Sequence, residues 1–194
     1  MTDPRTATIQ SHLERSTKTL EAVATECIPS ILEAADLIST AFKNGNKLLI
    51  CGNGGSAADS QHMAAEFTSR LRKDRPRDAL PAIALTTDTS FLTAFANDIN
   101  FEGIFARQVE ALGKEGDVLL GITTSGSSKN VVLACEEAAK RGLVTIGLTG
   151  SAGLSCDSTH TVAVPGEDTQ CTQESHIVIE HLICELVEDH LFPA

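Results

Sequence analysis

The sequence predicts a doubly wound α/β domain: a five-stranded parallel sheet with additional helices at the N-terminal end. Three observations carry this. From residue 47 onward short apolar runs alternate with helical stretches, as strands joined by crossover helices do. Glycine- and hydroxyl-rich turns follow two of those runs, where such folds place their ligand sites. A length of 194 residues with no internal repeat or Gly/Ser linker suits one core rather than two. A single domain over 1–194 is therefore expected, with 1–45 as N-terminal helices and 46–194 as the α/β core.

The elements follow in order. Residues from about Ala7 to Phe42 read as helix, with Ile31, Ala34, Ala35, Ile38 and Phe42 recurring at three and four. Pro29 divides this stretch into two helices. "NGN" at 44–46 turns into "KLLIC", a short buried strand over 47–51. A glycine turn and a helix of about 56–71 come next, then the basic loop "RKDRPRDALP" and the strand "AIALT". Helical stretches near 89–97 and 101–112 precede the strand "GDVLLGI", the turn "TTSGSS" and the helix "KNVVLACEEAAKRG". "LVTIGLTG" and "THTVAVPG" complete the strands, and an amphipathic helix runs from about Gln173 to His190.

Composition excludes several functions. A net charge of −11 argues against nucleic acid or an anionic membrane as the main partner. No apolar run approaches the roughly 20 residues that span a bilayer, and the opening "MTDPRTATIQ" lacks the apolar region of a signal peptide. Cys27, Cys51, Cys135, Cys156, Cys171 and Cys184 are scattered, with no C-x-x-C pair. They read as small hydrophobes kept reduced in the cytoplasm, not as a zinc finger.

Two turns carry the binding signal. Gly52-Asn53-Gly54-Gly55-Ser56 follows the first strand, and Thr123-Thr124-Ser125-Gly126-Ser127-Ser128 follows "DVLLGI". Singly, each could be no more than a tight turn with a helix cap. Two in equivalent places of one sheet point to a phosphate held at helix starts. Neither has a P-loop ending or a dinucleotide fingerprint, so a small phosphorylated molecule is the expected ligand.

His62 and Glu66, four residues apart, share one face of the helix after the first turn. That spacing suits two ligands of one metal, or a ligand beside a general base. The last helix offers Gln173, Glu174, His176, Glu180 and His181. Gln173 and His181 are separated by about 12 Å of helical rise, while His176 and Glu180 form a second pair at four. Periodicity does not choose between them. His12, His160 and His190 have no such company and read as surface residues. A phosphate cradle with a carboxylate and an imidazole points to proton transfer on a phosphosugar, as in aldose–ketose isomerisation through an enediol. A zinc ion would stabilise the developing oxyanion.

"NGNKLLICGNGGSAADSQHMAAEF", "AND" at 96–98, "GDVLLGITTSGSSKNV" and "QESHIVIEH" together resemble a sugar isomerase (SIS) domain, and more closely the phosphoheptose isomerase family, nearly end to end. The resemblance implies conversion of sedoheptulose 7-phosphate to D-glycero-D-manno-heptose 7-phosphate, the first step toward ADP-heptose. It implies a cytoplasmic homotetramer with active sites at subunit contacts and one zinc ion per subunit. Glu66 would be general base and metal ligand, His181 the second acid/base group and a ligand, and His62 and Gln173 the remaining ligands. Asn53, Gly54, Gly55, Ser56, Glu66, Asn97, Asp98, Thr123, Thr124, Ser125, Ser128 and Gln173 would line the substrate site. Cys171 and Thr172 stand where familiar members carry Arg-Ile, which puts a basic contact in question. The rival readings are a relative that binds the replication initiator and a sugar-phosphate-binding regulator; neither needs the base.

Overall fold

The computed structural model describes residues 3–193. Two helices come first, α1 (Arg5–Glu26) and α2 (Ile28–Lys43). They part at Cys27, and Pro29 falls in the first turn of α2, where its missing N–H has no intrahelical partner to lose. Ile31, Ala34, Ala35, Ile38 and Phe42 all lie on the buried face of α2, as their spacing predicts.

The core runs β1 (Leu48–Gly52), α3 (Gly55–Thr68), β2 (Ala82–Ala84), α4 (Thr89–Asp98), α5 (Ile104–Leu112), β3 (Val118–Thr123), α6 (Lys129–Lys140), β4 (Val144–Gly150), β5 (His160–Val164) and α7 (Thr169–Leu191). All strand pairs are parallel, in the order β2-β1-β3-β4-β5. The winding reverses between β1 and β3, so their carboxyl ends form the crevice in which such sheets bind ligands.

Alternation along β1 sorts the layers. Leu48 and Ile50 join a cluster with Ile38 of α2, Met63 and Phe67 of α3, and Ile179, Ile183 and Val187 of α7. Leu49 and Cys51 join Phe105 and Val109 of α5 with Val131, Ala134 and Cys135 of α6. The helices α3 and α7 thus lie on the same face of the sheet, and that shared core fixes their mutual position.

Several boundaries differ from expectation: α3 ends at Thr68 rather than near 71, and α5 begins at Ile104 rather than 101. β2 is three residues, not five: after Leu85 donates its N–H to the Ile50 carbonyl at 2.8 Å, the chain turns away. α7 begins at Thr169, four residues earlier than the apolar pattern indicates. Asp168 caps it by accepting the Cys171 N–H at 2.8 Å, which holds a first turn of poor helix formers in helical form. Among the described residues no helix is long and apolar enough to cross a membrane.

Candidate active site

Gly52 of β1 is in register with Ile122 of β3, so both binding turns leave the same edge of the sheet side by side. Gly54 caps α3 with φ +60° and ψ −119°, a conformation open to glycine and little else. Gly55 opens α3, and a Cβ there would overlap the Gln173 side-chain amide. The Gly-Gly pair therefore gives the turn its shape and leaves room for a side chain from α7. Ser56 is buried, and its carbonyl accepts the Ser60 hydroxyl at 2.7 Å.

The two turns are tied together. Asn53 and Asn130 exchange amide hydrogen bonds of 2.8 Å in both directions, and Asn130, in the first turn of α6, is buried. Sequence reasoning did not single out Asn130. Its signal was a polar side chain directly behind the hydroxyl turn. In that turn the Thr123 hydroxyl lies 3.3 Å from Ser125 Oγ and 3.0 Å from Ser128 Oγ. Gly126 has φ +70°, and a Cβ there would strike the Gly153 carbonyl. Thr124 and Ser125 border a cavity of about 230 Å³ shared with Gly150, Thr172 and the start of α7. Asn97 donates to Asp98 at 2.8 Å at the end of α4. Among the described residues no hydrogen bond joins that pair to the turns or to the groups below.

The reactive groups converge from two helices. Met63 and Phe67 are fully buried on α3, which leaves His62 and Glu66 on its flank, half-buried. On α7, burial of Ile179 and Ile183 sets His181 opposite them. His62 Nε2 lies 2.7 Å from His181 Nε2 and 3.6 Å from Glu66 Oε1. One ligand atom from each of the three falls within 4.8 Å of the others. Two imidazole nitrogens that close need a shared proton, or a cation held by both lone pairs. Two imidazoles and a carboxylate suit a transition-metal ion, zinc among them.

His176 and Glu180 have a different environment. Both are fully buried. His176 Nε2 donates to the Thr149 carbonyl at 3.0 Å, and burial pushes its pKa down. Burial, with the Asp59 carboxylate adding to it, pushes Glu180 up to about 9, so this side chain is neutral near pH 7. Its two oxygens have no hydrogen-bond partner among the described residues. Asp59, three residues before His62, is likewise raised by burial, an effect that His62 opposes. Asp59 did not stand out in the sequence; Glu180 did, as the partner of His176 in a competing pair.

Gln173 precedes His181 on α7. With α7 starting at Thr169, it lies in the second turn and its amide rests over Gly55, at the first binding turn. His160 is no surface residue: its side chain is 11% exposed and Nε2 lies 2.7 Å from the Ser30 carbonyl.

The SIS domain family model matches residues 11–150. A phosphoheptose isomerase of Clostridium acetobutylicum is 51% identical, over 96% of this chain and 94% of that protein. The solved structure of a phosphoheptose isomerase from Francisella tularensis superposes with a TM-score of 0.90 at 36% identity, covering 96% of this chain and 100% of the other. That from Neisseria gonorrhoeae gives 0.87 at 39% identity, with 95% and 98% covered.

Proposed function

The chain belongs to the SIS domain family and, within it, to the phosphoheptose isomerases, aldose–ketose isomerases; from that premise we propose that it converts sedoheptulose 7-phosphate to D-glycero-D-manno-heptose 7-phosphate, the step that opens a route to ADP-heptose. The observation that carries the reading is the meeting of His62, Glu66 and His181. They meet on helices that pass the crevice where Gly52–Ser56 and Thr123–Ser128 lie side by side.

The residues divide the work. The Thr123, Thr124, Ser125 and Ser128 hydroxyls, with N–H groups at the start of α6, take the phosphate. Asn53, Gly54, Gly55, Ser56, Asn97, Asp98 and Gln173 position the sugar chain. The Glu66 carboxylate removes the proton from C1 while His181 gives one to the C2 oxygen, forming the enediol. Glu66 then returns its proton at C2, and His181 takes the proton from the C1 oxygen as the aldehyde forms. His62, Glu66, Gln173 and His181 would hold zinc, one ion per subunit, which supplies stabilisation of negative charge on the sugar oxygens.

Other features support assembly and location. Ile28, Leu32, Val178 and Leu182 are exposed along α2 and α7 and border an apolar groove of about 550 Å³. Such a surface fits burial in a homotetramer, with active sites at the subunit contacts. Six free thiols suit the reducing cytoplasm.

The test is turnover of sedoheptulose 7-phosphate by metal-replete protein, followed by NMR. Product from the wild type and a loss of about 10²- to 10⁴-fold in Glu66→Gln are expected. Sugar-phosphate binding without turnover would move the assignment to a regulator.

A further inference from the structure

Arg77 sits in the loop between α3 and β2, outside every group assigned above. Its side chain and that of Glu188 are each only 1% exposed, which is unusual for a pair of charges. The guanidinium is fully engaged. Nη2 donates to the Glu66 carbonyl at 2.7 Å, and Nη1 donates to the Phe67 and Asp78 carbonyls at 2.9 Å each. Nε donates to Glu188 Oε1 at 2.6 Å, and Nη2 lies 2.6 Å from the same oxygen. That oxygen also accepts the Leu71 N–H at 3.0 Å. The Phe192 ring covers the group, with its centroid 5.9 Å from Cζ.

Two consequences follow from where these partners lie. The Glu66 and Phe67 carbonyls are among the last four of α3, which have no intrahelical donor and carry the negative end of the helix dipole. Arg77 supplies both donor and charge there, directly at the backbone of Glu66. Glu188 stands seven residues after His181, two turns along the same side of α7. The planar fork thus bolts the end of the helix that carries His62 and Glu66 to the helix that carries His181.

We propose that Arg77, anchored by Glu188, is a positioning residue that sets α3 against α7 and so holds His62 and Glu66 in register with His181. The proposal rests on the isomerase reading for its kinetic consequence, but the triad geometry can be read without it. Lysine cannot replace the fork, because one ammonium does not reach four acceptors in a plane.

The experiment compares wild type with Arg77→Lys, Arg77→Met and Glu188→Gln. Lys47→Met serves as a destabilised control: Lys47 pairs at 2.5 Å with buried Asp117 at the opposite, amino end of the sheet. Thermal melting is measured first; kcat and KM are then measured below every melting point, together with the visible spectrum and affinity of cobalt(II), used alone as the probe. The Arg77 variants are expected to lose about 10- to 100-fold in kcat at saturating metal, with KM changed less than about threefold, and to alter the cobalt spectrum. Arg77→Lys should not rescue them. Lys47→Met should melt earlier and keep both kcat and spectrum. A wild-type kcat and cobalt spectrum in folded Arg77→Met would overturn the proposal, as would a kcat loss in Lys47→Met of the same size. If Arg77→Met does not fold, Glu188→Gln is held to the same criteria. A wild type that binds cobalt yet turns over no sugar phosphate would sink the isomerase reading alone, since the spectra still report the register.

Discussion

The protein carries two His/Glu pairs at the same spacing, His62–Glu66 on α3 and His176–Glu180 on α7, and they have opposite fates. The first is half-buried and meets a third group from another helix. The second is sealed, its imidazole bonded to a sheet carbonyl and its carboxyl held neutral by burial. Spacing puts two side chains on one helix face. It says nothing about whether that face meets water, a partner helix or the core. The neighbouring packing decides: it leaves one pair beside a third possible ligand and seals the other in the core.

The largest expected effect separates the pairs directly. Glu66→Gln should cost about 10²- to 10⁴-fold in kcat. Glu180→Gln, which replaces a neutral carboxyl by a neutral amide of the same shape, should stay within about threefold. Steady-state rates on one metal-replete preparation decide it. Equal losses in both variants would mean that the buried pair shares in the chemistry.

A second difference is in stability against pH. Glu180 binds its proton more tightly folded, with a pKa of about 9, than unfolded, near 4.3. The contribution of a raised pKa is fully present below the unfolded value and is lost as pH rises through the folded one. Wild type should therefore weaken relative to Glu180→Gln between pH 5 and 9, by several kcal/mol at the top of that window. Urea midpoints of the two proteins at pH 5, 7 and 9 measure the difference, in which groups common to both cancel. Parallel midpoints across the range would show that Glu180 is ionised and solvated after all.

Much of this was legible before the structure. Alternating runs and helices gave the layers and the strand number, and the two turns fell at the reversal between β1 and β3. The turns themselves are readable because Gly54 and Gly126 need φ values that few other residues adopt. What was not legible depended on tertiary contact. The start of α7 at Thr169 rests on the Asp168 cap, not on an apolar period. Asn130 acquires its role from Asn53, 77 residues away in sequence. Arg77 read as one of several charges in a basic loop, and only its partners Glu66 and Glu188 distinguish it.

The smallest effect concerns the two histidines. His62→Ala removes one arm of the triad from a half-exposed position, so the metal-free fold should lose less than about 0.5 kcal/mol while cobalt affinity falls sharply. His176→Ala does the reverse. It empties a fully buried site and leaves the Thr149 carbonyl without its donor. An orphaned buried acceptor costs about 1–3 kcal/mol and the lost packing adds to it. Cobalt affinity should change little, because His176 Nε2 faces the sheet and not the triad. His176→Asn sharpens the contrast, since an amide that reached the same carbonyl would recover part of the stability but none would be needed for metal binding. If His176→Ala instead stripped the cobalt without lowering the melting point, the two pairs would have to exchange roles.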